Sequence, residues 1–390
     1  MRYYIIAGEA SGDLHGSNLI NALKHYDKAA EFRCWGGDLM EAASGTRLVK
    51  HYKDTAFMGL VEVVKHLKTI LGLLKMCKQD IAFFNPDVVI LIDYPGFNLR
   101  IAQFTKLAQI TTFYYIAPQV WAWHRSRTKH LQKYTDFIFV ILPFEVAFFK
   151  QHGIKNVAYF GHPMLDAIHT QDRVQATPAR APQNLPVFDK PVIALLPGSR
   201  RQEVERILPV MASVQAFFPQ YRFVVAGVGS LPVILYEKIL NSLDIPVVFN
   251  QTQPLLRHAA AALVASGTAT LETALLNVPQ VVCYRANPLS VAIARWLVKV
   301  RFISLVNLIA GKEVVRELIQ QNCTTKELTA ELNHILPHQP RRAVMLKNYA
   351  LLHKKLGKKG VSAKVAQAMI KLLLSSFKRK EQNNSLKHEH

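Results

Sequence analysis

A chain of 390 residues is longer than the ~250–300 residues at which a single core stops growing, so about two domains are expected. Half of the residues are hydrophobic, which excludes a disordered chain; no apolar run approaches the ~18 residues of a membrane span, and no export signal is evident. Forty-eight Lys and Arg against 27 Asp and Glu give a formal charge of +21, which implies a polyanionic partner such as nucleic acid or an anionic membrane surface.

The first strand, "YYIIA" (3–7), runs into "AGEASGDLHG" (7–16) and then a helix, "LHGSNLINALKHY". A Gly-containing loop in that position usually cradles phosphate, yet Glu9 and Asp13 stand where a pyrophosphate would lie. Further on, "MGLVEVVKHLKTILGLLKMCK" (58–78) carries apolar residues at helical spacing, including Leu67, Leu71 and Leu74. Met58, Val63, Ile70 and Leu73 widen the apolar coverage beyond one face, beside Lys65 and Lys68. Core packing and contact with a lipid both fit that pattern.

"DVVILID" (87–93), "TTFYYIA" (111–117) and "FIFVIL" (137–142) read as further strands of a parallel sheet covered on both faces. Asp93 falls at the carboxyl end of one of them, where a carboxylate is costly unless bonded or used. It serves either as a general base or as a turn residue before Pro95. Trp121 and Trp123 lie beside a basic run, but no nucleic-acid signature accompanies them. Cys34, Cys77, Cys283 and Cys323 are scattered without a CxxC pair, so neither a disulfide framework nor a zinc site is expected, as in a reducing cytosol.

The Pro-rich, aperiodic stretch 169–191 reads as a linker, after which the alternation restarts. "VIALL" (192–196), "RFVVAG" (222–227), "PVVF" (246–249), "AAALVAS" (260–266) and "QVVCY" (280–284) give a second doubly wound α/β domain. Ligands of such sheets bind at the carboxyl ends of the strands, so a cleft between the domains is the expected site. In "LLPGSRRQEVERILP" a strand passes through Gly198 into a helix, and Ser199 with Gln202 matches a capping box. Free N–H groups there, with Arg200 and Arg201 in the first turn, suit a diphosphate; cations at that helix end otherwise oppose the macrodipole. In "ASGTATLETALLNVPQV" the small residues Ser266, Gly267, Thr268 and Thr270 allow close approach to the backbone. Glu272 either complements a helix dipole or accepts bonds from the two hydroxyls of a ribose. Together the two loops describe a nucleoside-diphosphate pocket. A second basic apolar segment, 287–309, holds Arg295, Lys299 and Arg301. Residues 341–380 contain 12 Lys and Arg and no acid, with apolar residues at helical spacing, a pattern of membrane-surface or partner-docking helices.

"AGEASGDLHG", "FMGLVEVV", "IDYPGFNLR", "YYIAPQVWAW", "FGHPMLD", "LLPGSRRQEV", "SGTATLETAL" and "ISLVNLIAGKEVVRELIQ" occur in the order found in lipid-A-disaccharide synthases. The chain resembles that family over about residues 1–325. The resemblance implies an α/β fold of the GT-B type, two Rossmann-like doubly wound parallel-sheet domains facing across a cleft. It implies an inverting, metal-independent glycosyltransferase without a cofactor. Its substrates would be UDP-2,3-diacylglucosamine and 2,3-diacylglucosamine 1-phosphate (lipid X), joined as a β-1,6-linked tetraacyl disaccharide 1-phosphate with release of UDP. The enzyme would be cytoplasmic and peripheral on the anionic inner-membrane surface of a Gram-negative bacterium. No nucleic acid is implied, and a homodimer is among the assembly states left open.

On that resemblance residues 1–168 form the acceptor- and membrane-facing domain, 169–191 the linker and 192–340 the UDP-sugar domain. Residues 341–380 form basic amphipathic helices, which in GT-B folds often cross back onto the first domain, and 381–390 a polar tail. Asp93 becomes the favoured base, with Glu9 the runner-up. Gly198, Ser199, Arg200, Arg201, Ser266, Gly267, Thr268, Thr270 and Glu272 fall to UDP. Ser11, Asp13, Asn307 and Gln320 fall to the acceptor or cleft, and Met58, Val63, Lys65, Lys68 and Ile70 to acyl chains or membrane. The acids of the opening loop then suit sugar hydroxyls, although Asp13 equally suits a helix cap. Two other classes compete: a UDP-N-acetylglucosamine 2-epimerase or related sugar transferase, and a basic adaptor of nucleic acid or membrane.

Overall fold

The apolar runs become the buried central strands of two sheets, and shorter, more exposed strands complete the edges. In order these are β1 (Arg2–Ala7), β2 (Glu31–Gly36), β3 (Lys50–His51), β4 (Val88–Ile92), β5 (Thr111–Tyr115), β6 (Phe137–Val140) and β7 (Val157–Tyr159). After the linker come β8 (Val192–Leu196), β9 (Arg222–Gly227), β10 (Val247–Phe249), β11 (Ala259–Ala265), β12 (Gln280–Tyr284) and β13 (Arg316–Ile319). In the computed structural model the chain divides into two units, Met1–His169 with Gly357–His390, and Thr170–Leu356. The structure describes residues 1–54, 67–121, 127–168, 185–286 and 301–388. Met58, Val63, Lys65, Trp123, Arg295, Lys299 and most of the Pro-rich stretch lie outside the described residues.

Unit 1 holds a parallel sheet in the order β3-β2-β1-β4-β5-β6-β7, and unit 2 one in the order β10-β9-β8-β11-β12-β13. Each order reverses once, between β1 and β4 and between β8 and β11. Those are the switch points at which open α/β sheets take ligands. Ile6 is in register with Leu91, and Leu196 with Val264, so the loops leaving each central pair emerge side by side.

Four strands were not expected from sequence. In β2, "EFRCWG", polar and apolar residues alternate, because its outward Arg33 is held by Asp80 of the helix Leu67–Phe84. The Asp80 carboxylate also accepts from Tyr4 Oη, which in turn accepts from Trp35 Nε1 at 2.8 Å, tying β1, β2 and that helix together. β3, β7 and β13 are two to four residues long and lie at sheet edges, where a continuous apolar run is not required.

The helix Ala10–Tyr26 begins earlier than expected, so most of "AGEASGDLHG" is helical rather than loop. A Cβ on Gly12 would lie 3.1 Å from the Ala7 Cβ, and one on Gly16 would lie 2.6 Å from the Met40 sulfur. These glycines let the helix lie close on the sheet; they are not openings for a ligand.

The basic C-terminal segment also resolves into packing. In the helix Pro340–Leu356, Met345, Tyr349, Leu352 and Leu356 are buried in unit 2, whereas Val344 and Leu351 are exposed. In the helix Val361–His388, Val365, Met369 and Leu373 are buried against unit 1, where it packs on the helix Ala10–Tyr26. Asp166 caps it by accepting from the N–H groups of Gly360, Val361 and Ser362. No described helix is long and apolar enough to cross a membrane.

Near that cap lie two histidines sealed from water, His15 and His162. Burial holds the first down to about 4, against a smaller upward pull from Asp166, and the second down to about 3, with help from His15. Both are therefore neutral when folded. The stability they contribute is present above the ordinary histidine pKa of ~6.5 and is lost as pH falls toward 4, by up to ~1.4 kcal/mol per pH unit for each proton. His162→Asn keeps an acceptor for the Met164 N–H but cannot titrate. Urea titrations at pH 7.5 and 5.5 should show the wild type losing about 1 kcal/mol more than this variant; equal losses would refute the assignment.

Candidate active site

At the switch point of unit 1 the chain leaves β4 through a left-handed turn. Asp93 and Tyr94 have φ of 45° and 50°, and Ile116 at the end of the neighbouring β5 has 62°. Such conformations cost non-glycine residues about 1–3 kcal/mol each and persist only where the surroundings impose them. The Asp93 N–H donates to the Tyr115 and Ile116 carbonyls at 3.3 and 3.2 Å. Its carbonyl accepts from Tyr114 Oη at 2.7 Å and from Asn98 Nδ2 at 2.8 Å. The Tyr94 ring lies where a Cβ on Gly8 would be, 2.3 Å from it, and stacks on Phe97. Gly8 is thus the residue the opening motif needs for close approach, and the group approaching is Tyr94. The outcome is a half-buried Asp93 whose backbone is fixed at the strand end. Glu9 begins the adjacent helix, half-buried, and does not cap it with its side chain; Ser11 is half-buried in the first turn.

Asp13 is not part of a sugar-facing wall. It is 4% exposed, and its carboxylate accepts from the N–H groups of Gly37, Leu39 and Met40 at 2.8, 3.2 and 2.9 Å. It therefore caps the helix Asp38–Ser44 rather than its own. Burial raises its pKa, against those three hydrogen bonds.

In unit 2 the two motifs occupy the loops after β8 and β11, on either side of the switch point. The first helix is Arg201–Ala212, and its capping carboxylate is Glu203 rather than Gln202. Glu203 Oε2 accepts from the N–H groups of Ser199 and Arg200 at 3.2 and 3.3 Å. Gly198, at φ 111°, is required here, because a Cβ would stand 2.4 Å from that oxygen. Arg200 pairs with Glu203 at 3.5 Å and Arg201 with Glu205 at 3.2 Å, both at exposed positions. The two N–H groups expected to be open are therefore engaged by the protein's own carboxylate, and an anion at Ser199 and Arg200 must compete with it.

After β11, Ser266 Oγ donates to the Ile303 carbonyl and Thr270 Oγ1 to that of Gly267, with Thr270 wholly buried. Thr270 is a structural turn residue, not a ligand contact. Gly267 and Thr268 are exposed, and nothing stands within 4 Å of where a Gly267 Cβ would project. Glu272 is half-buried in the helix Thr268–Leu275, its pKa raised by burial against a hydrogen bond from Gln253.

Asn307 is likewise saturated. Its Nδ2 donates to the Val315 carbonyl and to Glu317, and its Oδ1 accepts from the Val314 and Val315 N–H groups. Fully buried, it ties the helix Leu305–Ala310 to β13 and has no group left for an acceptor. Gln320 bridges to Ala286 through both side-chain atoms. Ile70 is half-buried on the unit 1 core, while Lys68 is exposed; Leu71, assigned to the buried stripe, is 55% exposed with Phe83 at 84%. Trp121 is buried, its Nε1 donating to Glu145, so it offers no open face for a base. Glu145, sealed in the interior, is pushed up to about 7 by burial, against hydrogen bonds from Leu142, Trp121 and Ile141. Among the described residues no three His, Cys, Asp or Glu side chains are grouped to hold a metal ion.

The family model described as Lipid-A-disaccharide synthetase matches residues 3–371. A lipid-A-disaccharide synthase of Syntrophus aciditrophicus (strain SB) is 38% identical over 383 residues, covering 95% of this chain and 98% of the relative. One of Gluconobacter oxydans (strain 621H) is 40% identical over 340 residues, 85% of this chain and 81% of the relative. Among solved structures, UDP-GlcNAc 2-epimerase from Neisseria meningitidis bound to UDP-GlcNAc aligns with a TM-score of 0.68 at 12% identity, over 95% of this chain and all of that one. The calicheamicin glycosyltransferase aligns with a TM-score of 0.59 at 16% identity, over 97% and 99%. Both are likenesses of fold.

The structural role of Asp13 has a direct consequence. Asp13→Ala should cost about 2–3 kcal/mol in urea unfolding, the loss of a buried helix cap, and leave UDP affinity within about twofold. An unchanged midpoint would refute that role.

Proposed function

The chain belongs to the lipid-A-disaccharide synthase family, and on that premise we propose that it transfers the diacylglucosaminyl unit of UDP-2,3-diacylglucosamine to the 6-hydroxyl of 2,3-diacylglucosamine 1-phosphate. It is a glycosyltransferase of lipid A biosynthesis with a GT-B fold. The observation that carries the finer reading is the contrast between the two switch points. That of unit 1 presents carboxylates, Asp93 and Glu9, whereas that of unit 2 presents arginines at a helix start. A hydroxyl nucleophile needs a base; a departing diphosphate needs positive charge.

In this reading Asp93 takes the proton of the acceptor hydroxyl as that oxygen attacks the anomeric carbon. The bond to UDP breaks on the opposite face, which inverts the configuration. Arg200, Arg201 and the first-turn N–H groups neutralise the diphosphate, with Glu203 yielding to it, and no metal takes part. Glu272 holds the ribose, beside the open backbone at Gly267 and Thr268. Glu9 and Ser11 line the acceptor side. Exposed Leu71, Met76 and Phe83, with Lys68 and Lys75 on the same helix, suit acyl chains and an anionic membrane surface, which supports a peripheral enzyme on the cytoplasmic side of the inner membrane.

The epimerase fold likeness makes a second reading specific enough to test. UDP release by the transferase depends on the lipid monosaccharide acceptor; release without acceptor would favour the epimerase-like chemistry. Asp93→Asn should lower acceptor-dependent UDP release by about 10²–10⁴-fold, the worth of a general base, while UDP affinity changes less than about twofold. Retained turnover would reject the base. Arg201→Ala should weaken UDP binding about tenfold, as expected for one charge-assisted contact; unchanged affinity would reject the diphosphate site.

A further inference from the structure

Gln253 lies in the helix Thr252–His258, which follows β10, and is 2% exposed. Its Nε2 donates to Oε1 of Glu272 at 2.8 Å. Because an ionised carboxylate only accepts, this bond fixes which way the amide faces. The amide oxygen is buried and has no hydrogen-bond partner, an arrangement that costs about 1–3 kcal/mol unless something is gained from it. The other Glu272 oxygen has no partner among the described residues. One oxygen is thus held by Gln253, and the carboxylate belongs to the short helix that begins at the exposed, unobstructed backbone of Gly267.

We propose that Gln253 is a positioning residue for nucleotide recognition, holding Glu272 so that its second oxygen meets the vicinal hydroxyls of a ribose. The inference rests on the ribose reading of Glu272. Gln253 touches no substrate in this scheme; it acts through the carboxylate. The side chain is matched to that task, since methionine has its length without a donor, and glutamate has its shape with the wrong charge. Loss of the bond would free the carboxylate to rotate and remove the one contact that favours its ionised form against burial.

The readout is discrimination between UDP and 2′,3′-dideoxy-UDP, measured by titration calorimetry on full-length protein at pH 8. The wild type should prefer UDP about tenfold or more, as expected for hydrogen bonds to a charged group. Glu272→Ala should abolish most of that preference, and Gln253→Met should lower it about fivefold or more. A merely structural role for Gln253 would weaken both ligands alike, leaving the ratio at its wild-type value, and that outcome overturns the proposal. If Glu272→Ala keeps the preference, the ribose reading fails and the proposal falls with it. If Gln253→Met does not fold, Gln253→Glu carries the test: two ionised carboxylates cannot share the bond, so the preference must again be lost at pH 8. A wild-type ratio in folded Gln253→Glu overturns the proposal.

Discussion

The left-handed turn at Asp93 and Tyr94 is the constraint around which the first unit is arranged. Two consecutive non-glycine residues at positive φ cost about 1–3 kcal/mol each, and the surroundings must compensate. They do so with a carbonyl held by Tyr114 and Asn98, an N–H shared between two carbonyls of the β5 end, and a tyrosine ring seated on the bare backbone of Gly8. A relaxed turn would let the Asp93 side chain swing with its backbone. The held turn fixes the Asp93 backbone, and so the origin of its side chain, at the carboxyl end of a buried strand, which suits the proposed base acting on a positioned hydroxyl.

The second unit meets the opposite electrostatic problem. Arginines at a helix start oppose its dipole, and the chain offsets this with Glu203 and Glu205 on the same helix. Glu203 accepts the N–H groups of Ser199 and Arg200 that an anion at this helix start would otherwise take. In the proposed binding of UDP, exchange of this carboxylate for the diphosphate carries a smaller electrostatic penalty for release than a bare cationic cradle would. The large net positive charge is distributed differently: most of the C-terminal lysines lie on helices that bury one apolar face and leave Val344, Leu351 and Leu374 exposed.

Much of the fold was legible because parallel strands buried on both faces must be apolar throughout, and β8, β9 and β12 fall at the expected residues. Edge strands need no such run, and β3, β7 and β13 escaped for that reason; β2, paired on both sides, escaped because polar Glu31 and Arg33 interrupt it. The family and the two loops at each switch point were also legible, since their residues are contiguous. Individual roles were not. Asp13, Thr270 and Asn307 carry polar groups that suit sugars, but the fold satisfies them internally: Asp13 by N–H groups beyond the next strand, Asn307 by the chain leading into β13, and Thr270 by a carbonyl of its own turn. Gln253 carries no local signal, because its partner Glu272 lies in another helix; Glu203 does carry one, three residues after its cap, but the Ser199–Gln202 pattern one residue earlier matches the same box.

The proposed reaction is a single displacement in which one carboxylate deprotonates the acceptor while UDP departs from the other face. The product of wild-type enzyme supplied with UDP-2,3-diacylglucosamine and 2,3-diacylglucosamine 1-phosphate tests this most directly, by mass spectrometry and proton NMR of the new linkage. The expected product is one tetraacyl disaccharide 1-phosphate carrying the anomeric proton of a β linkage and a 1,6 connection. An α-linked product, or a sugar altered at its own ring carbon with no disaccharide formed, would contradict it.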